Sequence, residues 1–170
     1  MKPLVKILFG IVAFLIFLLL LVCERDRPLQ ELIPLYASPT SQFMPLLGME
    51  VHFRDEGLKS DSVPIFLLHG MSSSLHTWDS VVLQLATQKR VISLDLPGFG
   101  LTGPSPENTY NFDYYNKFID SFSRRLQIKR FTLVGNSMGG AIAWNYALHN
   151  PVAVSRLILI DALGYPSRGE

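Results

Sequence analysis

A single serine stands between closely spaced glycines, at the point where an apolar run gives way to a helical pattern. The run FTLVG (131–135) is typical of a buried strand, and a helical pattern continues from about Met138 to Leu148. Between them, residues 135–139 read GNSMG, which has the form G-x-S-x-G. Larger side chains two positions from the serine would collide with neighbouring backbone in so sharp a turn. The pattern predicts that Ser137 is an exposed nucleophile at a strand-to-helix junction, the alternative being a tight turn whose serine has no chemical role.

Strand and helix patterns alternate through the rest of the chain. Apolar runs predict buried strands, whereas stripes of apolar residues at helical spacing predict helices between them. Such alternation is typical of a parallel sheet with helices on both faces, so we expect a three-layer α/β/α sandwich. The strand runs are VPIFLLHG (63–70), RVISLDLPGFG (90–100), FTLVG (131–135) and RLILID (156–161); the helical stripes lie within 78–85, 115–126 and 138–148.

A further strand is predicted over MEVHFRDEG (49–57), where apolar and polar residues alternate up to Gly57. Val51 and Phe53 face the core in this interpretation, which leaves His52 as an exposed strand residue. The preceding segment, 24–48, is rich in proline and has little periodicity, so it is expected to be a linker. The sequence therefore divides into an N-terminal segment (1–23), a linker (24–48) and a globular unit (49–170).

The N-terminal segment is apolar from Ile7 to Cys23 without interruption, long enough to cross a bilayer as a helix. We expect an uncleaved, single-pass anchor, because the run exceeds the apolar core of most signal peptides and no small-residue cleavage site follows. The alternatives are a cleaved signal peptide and lipid attachment at Cys23, where Val22 stands in place of the usual small residue. Lys2 and Lys6 precede the run, which favours a cytoplasmic N-terminus and a globular unit outside the cytoplasm.

Composition excludes several classes of function. Fifteen basic residues balance fourteen acidic ones, giving a formal net charge of +1, and no basic cluster is present, so nucleic-acid binding is not expected. A single cysteine excludes an intramolecular disulfide and a cysteine-based zinc site within one chain. No motif in the sequence predicts a metal site or a cofactor site.

The chain resembles the α/β-hydrolase family over nearly everything after residue 48. The resemblance is carried by LLHGMSSS (67–74), LDLPGFGLTGPS (94–105), LVGNSMGGAIAW (133–144) and ALHNPVAVSRLILIDALG (147–164). It implies six of the family's usual eight strands, two of them near residues 49–57, in a sheet that is incomplete at the C-terminus. GNSMGG and LILIDALG are also similar to carbon–carbon bond hydrolases of aromatic ring-cleavage pathways. Esterases and lipases share nearly the same strings, so the substrate class stays open.

The resemblance implies acyl transfer at a small, apolar ester or other carbonyl substrate. Ser137 would attack the carbonyl carbon, while the backbone N–H groups of Met71 and Met138 would hold the oxyanion. Asp161 ends the last predicted strand, a place from which some relatives supply the catalytic acid; the other interpretation is an ordinary hydrogen-bonding aspartate at a strand end.

No histidine of this chain matches the position of the family's catalytic histidine. In the family it follows the serine and the acid, yet His149 is the only histidine after Ser137. His149 ends the helix that begins at the serine, about 18 Å away, which excludes it as the base within one subunit. His69 is expected to shape the loop that follows its strand, His76 to lie on the surface, and Asp95 to organise a turn.

Two functional classes follow from these observations. The first is a membrane-anchored serine hydrolase of which this chain is the N-terminal part, with the acid, the base and much of the substrate pocket encoded further on. The second is a non-catalytic binding or scaffold protein with the same fold, in which the incomplete triad is a property of the mature chain.

Overall fold

The computed structural model describes residues 3–23 and 27–164; Lys2, 24–26 and 165–170, which the domain and orientation predictions also used, lie outside the described residues. Its helices are α1 (Pro3–Val22), α2 (Leu29–Tyr36), α3 (Asp79–Leu85), α4 (Phe112–Arg125) and α5 (Met138–His149), with a 3₁₀ turn (Leu75–Trp78) leading into α3. Its strands are β1 (Ser41–Leu46), β2 (Met49–Gly57), β3 (Ile65–Leu68), β4 (Arg90–Leu94), β5 (Phe131–Asn136) and β6 (Val154–Ile160).

The six strands form one mixed sheet in the order β1-β2-β4-β3-β5-β6. Strands β4, β3, β5 and β6 are parallel, whereas β2 runs antiparallel to both β1 and β4. The predicted fold class, a mostly parallel sheet inside an α/β/α sandwich, is confirmed. Parallel strands end at the same edge, so the segments after β3, β4, β5 and β6 meet there.

The segment predicted to be a linker contains regular structure instead. Helix α2 lies within it, and β1 pairs with β2 as a hairpin from Ser41–Arg54 to Leu46–Met49. The turn is tight because Leu47 and Gly48 both have positive φ, 49° and 77°, as a two-residue hairpin turn requires. Pro45 obscured this strand in the sequence, but β1 is an edge strand, where a proline removes no ladder bond that the sheet needs.

The core lies on both faces of the sheet because side chains along each strand alternate in direction. On one face, α4 and α5 cover an aromatic cluster in which the ring of Phe66 stacks on Phe131 at 4.2 Å and meets Phe122 edge-on at 5.8 Å. On the other face, Trp78 and Val82 pack against side chains of β3, β4 and β5. These two clusters fix the positions of the helices and hence of the loops that join them to the strands.

Helix α1 covers the apolar N-terminal run. It has 20 residues, all exposed, with a mean hydropathy of 3.0 over its most apolar window. At 1.5 Å per residue it is about 30 Å long, the thickness of a bilayer's hydrocarbon core. By length and composition the helix could serve as a membrane anchor or as a signal segment.

Candidate active site

Ser137 sits on a strained turn between β5 and α5. Its φ of 51° and ψ of −115° lie outside the regions that side-chain-bearing residues normally occupy. The Ser137 N–H donates to the carbonyl of Ile160 at 2.9 Å, and the Ser137 carbonyl accepts from the N–H of Ala141 at 3.0 Å and of Leu163 at 3.1 Å. The end of β6 and the first turn of α5 therefore hold the serine in this conformation from both sides.

The glycines around the serine allow the close approach of three backbone segments. A Cβ on Gly135 would overlap the carbonyl oxygen of Gly139. A Cβ on Gly139 would in turn overlap the carbonyl oxygens of Leu68 and His69, where β3 ends. Neither glycine has a positive φ, so it is the lack of a side chain that the turn requires. The crowding of glycines around one hydroxyl thus has a steric cause.

The loop after β3, residues 70–74, passes directly over the serine turn. A Cβ on Gly70 would lie 3.0 Å from Asn136 Oδ1 and 3.3 Å from Ser137 Cβ. Met71 follows with an exposed side chain, and Ser72 has a positive φ of 54°. Met71, whose amide the family resemblance assigns to the oxyanion hole, therefore lies one residue from the point where this loop touches the turn.

His69 braces the start of this loop. Its ring is fully buried, Nδ1 donates to the carbonyl of Gly70 at 2.7 Å, and Nε2 accepts from the N–H of Leu96 at 3.0 Å. Burial lowers the pKa of His69, which keeps the ring neutral as these two hydrogen bonds require. With both nitrogens occupied, His69 links the loop to the turn after β4, consistent with the structural role predicted for it.

Asp95 braces the other end of the loop. Its Oδ1 accepts from the N–H of Leu75 at 2.7 Å, and its Oδ2 accepts from the N–H of Leu101 at 2.8 Å. Burial alone would raise the pKa of Asp95, but hydrogen bonds from His52 and from these two amides outweigh burial and hold the pKa below its ordinary value. Asp95 is thus an ionised, turn-organising residue, as predicted.

The prediction that His52 is an exposed strand residue is wrong. The ring is fully buried: Nδ1 donates to Asp95 Oδ2 at 2.7 Å, and Nε2 accepts from Ser41 Oγ at 2.7 Å. The reason is strand β1, which the local sequence pattern did not predict and which brings Ser41 to Nε2 and stacks Phe43 on the ring at 5.0 Å. Sequence reasoning missed this Ser-His-Asp network; the only local signal was an aspartate directly after a buried strand.

The other two histidines are also engaged away from the serine. His76 is on the surface, as predicted, with Nδ1 3.3 Å from Asp79 Oδ2 and Nε2 3.0 Å from the carbonyl of Tyr36. His149 is exposed at the far end of α5, where Nδ1 donates to the carbonyl of Asn145 at 2.8 Å. Within the described residues, no histidine forms a hydrogen bond with Ser137.

Asp161 directly follows β6 at the same edge of the sheet. It is exposed and has a positive φ of 45°. The preceding residue, Ile160, accepts the hydrogen bond from the Ser137 N–H. The structure therefore brings the backbone of Asp161 close to the serine turn, on the opposite side from the loop that contains Met71.

An apolar cleft of about 900 Å³ opens beside the serine turn. Met71 and Met138 both line it, and the rest of its wall comes from the turn after β4, the start of α4, the first turns of α5 and the segment after β6. Its larger side chains are Phe99, Tyr110, Phe112, Tyr115, Ile142 and Leu163. No described residue that lines the cleft is charged, which makes it suited to binding neutral, apolar groups.

Comparisons with known proteins agree with this geometry. The family model for the alpha/beta hydrolase fold matches residues 63–169. An uncharacterized protein of Mycobacterium tuberculosis is 35% identical over 138 residues, which cover 81% of this chain and 38% of that protein. The 1-acylglycerol-3-phosphate O-acyltransferase ABHD5 of Sus scrofa is 33% identical over 114 residues, 65% of this chain and 33% of that protein.

Among solved structures, a probable hydrolytic enzyme of Pseudomonas aeruginosa is similar with a TM-score of 0.67 and 30% identity, covering 76% of this chain and 43% of that one. The chain belongs to the α/β-hydrolase fold family. It spans about two fifths of the length of the Mycobacterium relative and one third of the length of ABHD5.

Proposed function

We propose that this member of the α/β-hydrolase family is part of a serine hydrolase that acts by acyl transfer through Ser137. In the first step, Ser137 Oγ bonds to the carbonyl carbon of an ester, the Oγ proton passes to a general base, and the ester C–O bond breaks. The leaving alkoxide takes that proton and departs as an alcohol. A water molecule then attacks the acyl-enzyme, which releases the acid and restores the serine.

The observation that carries this proposal is the conformation of Ser137. A φ of 51° with a ψ of −115° is costly for a serine and is typical of sites where strain serves a function. The turn also puts Ser137 at the N-terminus of α5, whose partial positive charge favours negative charge developing nearby. A serine without a chemical role would gain nothing from a position that glycine occupies at less cost.

We assign the oxyanion hole to the backbone N–H groups of Met71 and Met138. Support comes from the contact of Gly70 with the serine turn and from the two methionines lining one cleft. Backbone donors fixed in this way stabilise the tetrahedral intermediate because they need no rearrangement when the charge develops. Asp161 is assigned as the acid, on the basis of its position at the same sheet edge as Ser137.

None of the four histidines of this chain is placed to act as the general base on Ser137. His52 and His69 are buried with both ring nitrogens hydrogen-bonded, and His76 and His149 are engaged elsewhere. We therefore assign the base to a histidine from outside these 170 residues, in further sequence of a longer protein. The name of ABHD5, an O-acyltransferase, is consistent with acyl-transfer chemistry in this family.

A fluorophosphonate probe, which labels activated serines, tests this proposal. Three proteins are compared: this chain, the chain extended through any downstream reading frame, and the extended chain with Ser137→Ala. We expect strong labelling only of the second, because general-base assistance is worth about 10²–10⁴-fold. Ser80→Ala in the extended chain, an exposed serine on α3, is the matched control and should label normally.

Three other outcomes would change the assignment. Labelling that survives Ser137→Ala would remove Ser137 as the nucleophile. No labelling of any protein would favour the second candidate, a non-catalytic binding protein, for which the supporting observation is that no described histidine forms a hydrogen bond with Ser137. Rapid labelling of the 170-residue chain itself would mean that one of its own histidines, acting within or between subunits, is the base.

The proposed location is a membrane, with α1 as an uncleaved anchor and the hydrolase unit outside the cytoplasm. Support comes from the length and hydropathy of α1 and from Lys6 near its start. A phosphatase reporter that is active only outside the cytoplasm, fused after Glu170, should be active. Activity only of a parallel cytoplasmic reporter would reverse the orientation, and soluble protein beginning near residue 24 would indicate cleavage instead.

A further inference from the structure

We propose that the cleft beside Ser137 binds the acyl chain of a neutral, long-chain carboxylic ester. The assignment of an ester rests on the proposed function; the selection of a long, uncharged chain rests on the cleft itself. The cleft extends from the serine turn to the start of α4, and its volume of about 900 Å³ is near the upper end of small-molecule sites, about 300–1,000 Å³. A two- or three-carbon acyl group would leave most of it unfilled.

Most side-chain oxygen and nitrogen atoms of the cleft wall are already hydrogen-bonded within the protein. Tyr110 Oη accepts from the N–H of Ser105 at 3.0 Å, and Tyr115 Oη donates to the carbonyl of Pro97 at 3.2 Å. Burial raises the pKa of Tyr115 to about 12, so its hydroxyl stays neutral. Both tyrosines therefore present ring carbons to the cleft, and recognition there depends on apolar contact.

Asn111, the remaining amide in the wall, is used in the same way. Its Oδ1 accepts from the N–H of Tyr114 at 2.9 Å and caps the N-terminus of α4. Among the described lining residues, what remains for a ligand's polar atoms is the Tyr110 hydroxyl hydrogen, the Asn111 Nδ2 group and the backbone, including the amides of Met71 and Met138 at the end of the cleft beside Ser137. One carbonyl at that end followed by a chain of CH₂ groups matches this distribution.

The absence of charge in the described wall separates the two substrate classes that the sequence left open. A carboxylate-bearing product of aromatic ring cleavage would lose its hydration in this cleft without a cation to replace it, which is strongly unfavourable. A neutral ester loses little hydration, and each buried CH₂ contributes about a fourfold gain in affinity until the cleft is full.

The two tryptophans of the chain give a direct test, because they lie on opposite faces of the sheet. Trp144 packs against the ring of Phe112 at 5.7 Å, and its Nε1 donates to the carbonyl of Leu163 at 2.9 Å; both partners line the cleft. Trp78 is buried under α3 against the other face. A brominated chain bound in the cleft should quench Trp144, which lies directly behind these two wall residues, and leave Trp78 unaffected.

The experiment measures tryptophan fluorescence of the full chain in non-ionic detergent, titrated with methyl dibromostearate. We expect quenching in wild type and in Trp78→Phe, and none in Trp144→Phe. Unbrominated methyl esters should reverse the quenching, about fourfold more effectively for each CH₂ from butanoate to decanoate. Phe99→Asp, which puts a charge in the wall, should weaken binding at least about tenfold, and a thermal melt checks that this variant folds.

Three results would overturn the proposal: quenching confined to Trp78, reversal that does not depend on chain length, or reversal by an anionic aromatic acid at the same concentration as the esters. If Phe99→Asp does not fold, the chain-length series in wild type still decides. Failure of the proposed function can be told apart from failure of this inference. Ser137→Ala removes the proposed nucleophile but leaves the cleft, so this variant should retain the quenching. If the protein shows normal quenching but never reacts with fluorophosphonate, it binds acyl chains and is not a serine hydrolase.

Discussion

Replacing Ser137 by glycine is predicted to stabilise the fold relative to replacing it by alanine. Both variants remove the hydroxyl, and Ser137 Oγ has no hydrogen-bond partner among the described residues, so neither loses a bond that the other keeps. They differ in the backbone: alanine keeps the Cβ that makes φ of 51° with ψ of −115° unfavourable, whereas glycine adopts it without that penalty.

The size of the difference follows from two opposing terms. Strain at such a backbone position is about 1–3 kcal/mol, and glycine removes most of it. Glycine also makes the unfolded chain more flexible, which lowers stability by about 0.4–1 kcal/mol. The net expectation is that Ser137→Gly is more stable than Ser137→Ala by about 1–2 kcal/mol, a Tm difference of about 3–6 °C for a domain of this size.

Urea denaturation and thermal melts of the two variants, followed by circular dichroism, measure this difference. The matched control is Ser80, an exposed serine in α3, where glycine should be less stable than alanine by about 1 kcal/mol because helix propensity decides. The two positions should therefore give opposite signs. If Ser137→Gly is no more stable than Ser137→Ala, the turn is not strained in solution and the main support for a functional serine is lost.

Three further predictions concern stability. Gly135→Ala should destabilise the fold by about 1–3 kcal/mol in urea titrations, because the new Cβ overlaps the Gly139 carbonyl. Burial lowers the pKa of His69, so its contribution to stability is full above about pH 6.5 and declines as pH falls below that value, which denaturation midpoints at pH 7 and pH 5 should detect. Burial would raise the pKa of Asp55, but Arg90, which binds it at 2.8 and 3.0 Å, and Lys59, at 2.8 Å, together outweigh burial and lower it. Asp55→Asn should therefore cost stability at pH 7, by an amount that shrinks as pH falls below the ordinary 3.8.

The parallel core of the fold could be predicted from the sequence because its signals are local. Strand β3 is a continuous apolar run, and β4, β5 and β6 are mostly apolar, although the side chains of β6, at the sheet edge, are half-buried or exposed. Helix α4 follows a clear stripe that begins after the N-cap Asn111. The serine turn was predictable for the same reason: five consecutive residues specify both the hydroxyl and the glycines that let it be presented.

The hairpin strand β1 and the burial of His52 could not be predicted in that way. An edge strand contacts the sheet on one side only, so β1 carries a weak alternation, and Pro45 within it is typical of a loop. The environment of His52 is then decided by residues from two other segments, Ser41 on β1 and Asp95 after β4. A residue is buried or exposed according to partners that the local pattern does not contain.

The same difference between local and distant information explains why the serine turn was predictable and the chemistry of the cleft was not. The cleft wall is assembled from separate segments, which meet only because the ends of β3, β4, β5 and β6 share one edge of the sheet. Tyr110, Asn111 and Tyr115 look in the sequence like candidates for polar recognition. Their hydroxyl and amide groups bond instead to protein backbone. The cleft is therefore largely apolar because of how its tyrosines and asparagine are held, and a ligand that accepts a hydrogen bond from Tyr115 would first have to break the bond from Tyr115 to Pro97.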